Sequence, residues 1–218
     1  MSSIQNIEIV DSHHHFWDLD KNYYPFLCDK IDPYFFLGNY EIIRQNYLPV
    51  DYEKDIINHN VIGTIHCEAE WDRNNQVGET KWIENLAKRN KFPNAIIGHA
   101  WFHTKNTEII IAEQASFNMV KSIRSKPNVK FAKNTTDYKY DGSMQDTNWR
   151  NGLKLLEKYN LNYDLRVPTW HLEEAVEIVR FIPNTKVIIN HCGFPWDRFI
   201  DGMEFWKKEI KALSLKPN

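Results

Sequence analysis

The sequence of 218 residues lacks several features that would assign it to a class of protein. Its three cysteines (Cys28, Cys67 and Cys192) include no CxxC pair, which excludes a disulfide framework and suits a reducing compartment. No apolar run approaches the roughly 18 residues of a membrane-spanning helix, and residues 1–12 show neither the basic nor the apolar region of a secretory signal. A net charge of −2 offers no basic surface to nucleic acid. We therefore expect a cytoplasmic protein whose partners include neither nucleic acid nor a membrane.

Phosphate-binding loops are also missing, since neither GxGxxG nor GxxxxGK[ST] occurs among the 8 glycines. What the chain does have is enough apolar sequence, 42%, for one hydrophobic core. Its aromatic content of 14% is high and indicates either an aromatic-lined pocket or a large contact between subunits. We expect residues 1–218 to form a single domain that binds a small molecule.

Short apolar segments alternate with amphipathic segments along the chain, and this pattern predicts a parallel sheet covered by helices. The predicted strands are residues 7–10, 61–68, 95–102, 119–124, 161–167 and 186–190. The predicted helices are residues 52–59, 79–91, 108–118, 149–159, 172–181 and 199–213. Asn148 and Thr169 are the expected caps of the fourth and fifth helices. Both an open doubly wound sheet and a (β/α) barrel fit the pattern, but the missing phosphate loops weaken the open sheet.

Three histidines follow predicted strands, where a barrel places its chemistry. His13 and His15 end the first strand and share one face, about 7 Å apart, so that they can grip one divalent cation. His191 ends the sixth strand and precedes a Gly-Phe-Pro turn. A structural role for a single histidine is the alternative in each case. Three imidazoles at strand ends favour a catalytic or metal site.

Charged residues occupy the ends of other predicted strands. Glu68 ends the second strand and suits either a metal or a polar substrate, with a surface acid as the alternative. Arg124 ends the fourth strand. Its planar guanidinium suits the carboxylate of a bound molecule, and an ion pair with a nearby acidic side chain is the alternative. Asp164 lies inside the fifth strand, where an unpaired carboxylate is costly, so we expect it to have a partner. His171 is either a binding residue or a solvated residue at a helix start. The long polar loop of residues 125–147 is predicted to be a lid or a binding loop, or to be disordered.

The ordered set of motifs resembles the amidohydrolase superfamily of TIM-barrel hydrolases, and its amidohydrolase 2 branch in particular. The resemblance rests on the segments DSHHHFWD, NYYPFL, HCEAEWD, SIR, YDLRV and INHCGFPWD, and it extends from about Ile9 to the C-terminus. It implies an α/β fold, a TIM-barrel-like (β/α) barrel.

The resemblance also implies roles for individual residues. His13 and His15 would be the metal pair, with zinc as the favoured metal, although the branch also contains lactonases that use no metal. His191 would be the catalytic histidine of the sixth strand. The implied substrate-binding residues are Glu68, Arg124, Asp164, His171 and Trp196. The bridging lysine of the fourth strand has no match because Arg124 stands there, which favours one metal or none over two.

The length departs from the family pattern. The six predicted strands begin about 36 residues apart, so eight units need roughly 290 residues where 218 are present, and a typical barrel has about 250. We therefore expect six βα units, with the last two missing, and no match for the family's eighth-strand aspartate. Open barrel edges would be covered by a homo-oligomer or another chain.

The implied activity is hydrolysis of a small lactone, a sugar or aromatic acid derivative, by metal- or carboxylate-activated water. A truncated, inactive member that keeps the fold and an aromatic-acid decarboxylase are the alternatives.

Overall fold

The structure is a computed structural model that describes residues 7–33, 35, 38–129 and 140–218. The chain divides into two compact units. The first consists of the described residues of Met1–His99 with Phe117–Val120, and the second of Ala100–Ser116 with the described residues of Lys121–Asn218. That the chain behaves as a single domain stays a prediction.

Strands and helices alternate throughout the part of the chain that the structure describes. The strands are β1 (Glu8–His14), β2 (Asn60–Cys67), β3 (Ala95–His99), β4 (Val120–Arg124), β5 (Asn162–Leu165) and β6 (Val187–Ile189). The helices are α1 (Pro25–Cys28), α2 (Pro49–Asp55), α3 (Gly78–Ala87), α4 (Thr107–Ala115), α5 (Thr147–Lys158), α6 (Leu172–Phe181) and α7 (Ile200–Ser214). Among the described residues, short 3₁₀ segments also lie at Glu41–Ile43, Thr169–His171 and Asn190–Gly193.

In the first unit β1, β2 and β3 pair in parallel and in chain order. β4 begins in this unit, where the backbone N–H of Ile96 donates to the carbonyl of Met119 at 2.8 Å. Parallel strands packed on both faces need apolar side chains. Accordingly, Val61, Cys67 and Ile96 are buried, and Ile83 packs from α3 into the same core with no exposed surface.

In the second unit β4, β5 and β6 also pair in parallel and in chain order. The core contains Ile123 and Tyr163 from these strands and Trp149 from α5, all fully buried. α5 approaches the segment after β3 very closely at Gly152, where an added Cβ would lie 2.1 Å from the carbonyl oxygen of Phe102. Only glycine allows this approach.

The predicted α/β fold is confirmed, and the six successive βα units are those of an incomplete (β/α) barrel. Every strand begins within one residue of its predicted start. No described helix is both long and apolar enough to cross a membrane.

Two predicted helix caps are wrong. The carboxylate of Asp146 caps α5 by accepting the N–H of Asn148, because Asp146 has the extended backbone that a capping residue needs. Thr169 begins a 3₁₀ turn, so α6 starts after His171 instead. The predicted loop of residues 125–147 is described except for residues 130–139, which lie outside the described part, and α5 already starts at Thr147.

Candidate active site

Two histidines lie close together where β1 ends. His13 is the next-to-last residue of β1, and His15 is the first residue after it. Their ring centroids are 5.1 Å apart, with the ring planes at 85°. Both side chains are partly buried, whereas His14 between them is buried. The twofold alternation of a strand thus separates His14 from the pair, as the sequence pattern predicts.

The hydrogen bonds of His15 define its tautomer. Its Nδ1 lies 2.7 Å from the carbonyl oxygen of Cys67, which can only accept, so Nδ1 carries the proton and donates it. The unprotonated nitrogen is therefore Nε2. A carbonyl that holds one imidazole nitrogen in this way is typical of histidines that bind a metal through the other.

The histidine pair thus suits a divalent cation as a partial set of ligands. A zinc site takes three or four protein ligands. Across the described ranges, no three His, Cys, Asp or Glu side chains form a cluster with metal-binding geometry. Among the described residues, His13 and His15 are the two neighbouring imidazoles whose chemistry suits such a cation.

A buried polar layer lies beneath the histidine pair in the first unit. His14 Nε2 is 2.9 Å from Thr64 Oγ1, and burial, followed by the nearby His66, lowers the pKa of His14 to about 4. His14 is therefore neutral at pH 7. His66 Nδ1 accepts the backbone N–H of Phe16 at 3.2 Å, so its Nε2 carries the proton and donates to Glu79 Oε1 at 3.1 Å. This layer fixes the orientation of the chain where β1 ends.

Two carboxylates follow β2 into the same region. Glu79, in the first turn of α3, also accepts the backbone N–H of Ala69 at 2.8 Å. Glu68 is the residue directly after β2 and is buried. One of its oxygens accepts the N–H of Glu70 at 2.9 Å and lies 3.8 Å from His99 Nδ1. Glu68 is therefore an interior carboxylate, and its predicted alternative as a surface acid is wrong.

The second unit contains a buried network around Asp164. Ser122 donates its hydroxyl proton to one carboxylate oxygen, and Asn190 Nδ2 donates to the other at 2.7 Å. Asn190 Oδ1 is in turn 3.5 Å from the guanidinium of Arg124. All four side chains are buried. They lie on β4, on β5 and directly after β6, so three neighbouring strands bring them together.

His191 follows Asn190 of this network directly in the chain, is exposed to solvent, and has positively charged side chains nearby. Partial burial of the ring, followed by the charges of Arg124, Arg166 and Lys126, lowers the pKa of its imidazole to about 4. Its ring centroid is 4.5 Å from that of Phe194, and the guanidinium of Arg166 lies 5.1 Å from the same Phe194 ring. At neutral pH His191 is therefore an uncharged imidazole that can donate or accept a hydrogen bond.

Two other predicted site residues have partners in the loops of the second unit. His171 is buried, and its Nδ1 lies 3.0 Å from Glu174 in the first turn of α6, so its predicted alternative as a solvated residue is wrong. Trp196 is about half exposed, and its ring centroid lies 6.2 Å from that of Trp170. Both positions are compatible with binding a ligand, and their predicted roles stay predictions.

Sequence reasoning missed several members of these clusters. Glu79 and Ser122 look like ordinary polar residues of a helix start and a strand. His99 ends β3 and could have been found by the same strand-end rule that selected the other histidines. Asn190 directly precedes His191, and the histidine was selected from this segment instead. Their importance depends on burial and on partners more than 10 residues away in the chain.

Comparison with known proteins identifies the family. The Amidohydrolase family model Amidohydro_2 matches residues 10–218. An uncharacterized protein of Sinorhizobium fredii, y4mH, is 34% identical over 218 residues, which cover 99% of this chain and 72% of that protein.

Solved structures with the same fold are more distant in sequence. A crystal structure of an amidohydrolase from Burkholderia multivorans with bound zinc has a TM-score of 0.71 at 18% identity, over 95% of this chain and 66% of that one. A probable 2-pyrone-4,6-dicarboxylic acid hydrolase from Acinetobacter baumannii, with citric acid bound, has a TM-score of 0.60 at 14% identity, over 96% and 66%. The chain thus spans about two thirds of the length of these structures. Together with the family match, the fold and the strand-end histidines establish that this chain belongs to the amidohydrolase 2 family.

Proposed function

We propose that this chain supplies the metal-binding and substrate-binding residues for hydrolysis of a small lactone. The observation that carries the proposal is the pair of His13 and His15, with His15 oriented through Nδ1 by the carbonyl of Cys67. This hydrogen bond occupies Nδ1 and leaves Nε2 as the nitrogen with a lone pair for a cation. It is the arrangement expected of a metal ligand.

The proposed metal is one divalent cation, with zinc favoured. When bound, such a cation supplies Lewis acidity that activates water and polarises a carbonyl group. Bound zinc in the Burkholderia multivorans amidohydrolase supports this choice. His13 and His15 are the residues of this chain that would hold it.

Arg124 is the proposed anchor of an anionic group on the substrate. It is buried at the end of β4, and its guanidinium meets Asn190, which Asp164 holds in place. A guanidinium fixed by such a network has already lost its side-chain freedom, so binding a carboxylate orders little more. Citrate bound to the Acinetobacter baumannii hydrolase supports a carboxylate-bearing substrate.

The proposed reaction adds water across the ring ester. A carboxylate such as Glu68 accepts one proton of the water. The water oxygen then bonds to the ring carbonyl carbon, and the ring C–O bond breaks. The released ring oxygen takes up a proton, and the product is a hydroxy acid. His191, in the second unit, is uncharged at pH 7, and its proposed catalytic role is that of a neutral N–H donor. The lactone's identity, a cytoplasmic location and a homo-oligomer stay predictions.

Metal content and hydrolysis can be measured together on the purified protein. Lactone opening releases a proton, so a pH-indicator assay over a panel of sugar and aromatic lactones detects turnover, and elemental analysis reports bound metal. We expect about one metal per chain, with both metal and hydrolysis lost in His13→Ala and His15→Ala. Arg124→Lys should raise KM for carboxylate-bearing lactones about 10-fold or more, because it loses bidentate hydrogen bonding.

His59→Ala is the matched control because His59 is exposed in the loop between α2 and β2. It should retain both metal and activity. Turnover that survives in both site variants would refute the role of the pair. Release of carbon dioxide from aromatic acids, without lactone opening, would favour the decarboxylase instead.

A further inference from the structure

The backbone after β6 has an unusual conformation. His191, Cys192, Gly193 and Phe194 all have positive φ, at 49°, 54°, 73° and 44°. Glycine adopts this left-handed region readily, whereas the other three residues are strained by contacts between Cβ and the backbone. Four successive residues of this kind persist only where the surrounding structure holds them.

Two side chains hold this left-handed turn through its carbonyl groups. The indole N–H of Trp206 on α7 donates to the carbonyl of Cys192 at 2.7 Å. The hydroxyl of Thr169 donates to the carbonyls of Gly193, at 3.3 Å, and of Phe194. Thr169 is buried, so the partners of its hydroxyl are within the protein.

Close packing holds the same turn from a third side. Gly193 is buried, and a Cβ at this position would lie 2.8 Å from Ile210 Cδ1 of α7 and 3.3 Å from the side chain of Leu172. A larger residue would therefore require Ile210 and Leu172 to shift, and the positive φ of this position favours glycine. Side chains of α6 and α7 thus pack against the turn at Gly193.

The conformation of the turn determines where His191 points. An extended backbone would direct successive side chains to opposite faces. In the left-handed turn, the His191 ring instead packs on Phe194 at 4.5 Å, and the guanidinium of Arg166 lies 5.1 Å from the same Phe194 ring. The charged groups that act on the imidazole are Arg124, Arg166 and Lys126.

We propose that Trp206 and Thr169 are positioning residues, which hold the left-handed turn and thereby direct His191 towards Arg124 and Arg166. The catalytic importance of this positioning rests on the proposed function. The positioning of His191 by Trp206 and Thr169 is independent of it. Neither residue touches the reacting atoms in this account. They act through the carbonyl groups of the turn.

Titration of His191 followed by NMR tests the proposal without requiring activity. The His191 signal is assigned with His191→Gln, and its pKa is expected near 4 in the wild-type protein. Each substitution removes one donor: Thr169→Val keeps the shape of the side chain, and Trp206→Phe replaces the indole with a smaller aromatic ring that has no N–H. In both variants we expect the pKa of His191 to rise by about one unit or more towards 6.5, as the imidazole becomes better solvated and leaves the nearby cationic groups.

Two control variants make the same substitutions at other positions, and a third keeps the hydroxyl at Thr169. Thr185→Val removes the hydroxyl of another buried threonine in the second unit, and that hydroxyl has no hydrogen-bond partner among the described residues. Trp82→Phe changes a tryptophan on α3 that contacts Trp71. Thr169→Ser keeps the hydroxyl. All three should leave the His191 titration at its wild-type value.

If His191 keeps its wild-type pKa in folded Trp206→Phe and Thr169→Val, the proposal is overturned. If Thr169→Val does not fold, Trp206→Phe and Thr169→Ser decide the question. A protein that opens no lactone but shows the expected shifts would still support the positioning roles, and would remove only the proposed function.

Discussion

Replacing Asp164 with alanine is expected to cause a large loss of stability. Its carboxylate is 1% exposed and accepts hydrogen bonds from Ser122 and Asn190. Hydrogen bonds to charged groups contribute about 1.5–3 kcal/mol each, and removing one member of a buried charged network costs about 3–5 kcal/mol. We expect Asp164→Ala to lower the free energy of unfolding by about 3–5 kcal/mol, a large share of the roughly 5–15 kcal/mol typical of a domain.

Urea unfolding followed by tryptophan fluorescence measures this loss. Ser122→Ala removes a single donor and should cost about 1–3 kcal/mol. A double-mutant cycle between Ser122→Ala and Asp164→Ala should give a coupling free energy of about 0.5–3 kcal/mol, because the two side chains are in direct contact. Asp201→Ala, at an exposed position in the first turn of α7, is the control and should stay within about 0.5 kcal/mol.

A loss below about 1 kcal/mol for Asp164→Ala would refute this reasoning, because it would mean that the buried network contributes no more than a surface pair. Arg124 would then lack the preorganised support that the proposed substrate site requires.

Three further predictions follow from other sites. Gly152→Ala should destabilise the protein by about 1–3 kcal/mol, since its Cβ would lie 2.1 Å from the carbonyl of Phe102, whereas Gly63→Ala meets its nearest neighbour at 3.5 Å and should cost less in the same urea assay. Because the pKa of His191 is about 4 in the folded state and ordinarily 6.5, its contribution to stability is complete above pH 6.5 and is lost as the pH falls to 4. Solvent screening of its exposed ring makes this loss modest, and His191→Gln should flatten the dependence of Tm on pH between 4 and 7. Glu79→Ala leaves a buried imidazole and a buried backbone N–H without their acceptor, so it should lower the free energy of unfolding by about 2–4 kcal/mol, whereas Glu79→Gln should retain part of that stability by supplying an amide oxygen.

Much of the fold could be predicted because it depends on local patterns. Strands in this chain are runs of Val, Ile and aromatic residues, and parallel strands buried on both faces require such runs. This is why all six strand starts were located to within a residue. The strand-end positions of His13, Arg124 and His191 followed from the same pattern.

Helix ends were predicted less well because several polar residues nearby can cap a helix. Asp146 and Asn148 are both good capping residues, and the backbone conformation decides that Asp146 is the cap of α5. Thr169 is also a good capping residue by type. Its hydroxyl instead bonds the carbonyls of Gly193 and Phe194, which lie more than 20 residues further along the chain.

The sequence by itself determined the family, the alternation of strands and helices, and the histidine, glutamate and arginine residues that end the strands. These depend on residue type and on periods of two or about 3.6 residues, which a linear chain displays directly. Only the tertiary structure decided that Asn190 and Ser122 hold Asp164, that Glu79 holds His66, and that Trp206 and Thr169 hold a left-handed turn. These pairs lie 13 to 42 residues apart in the chain, and their strength comes from burial, which no local pattern records.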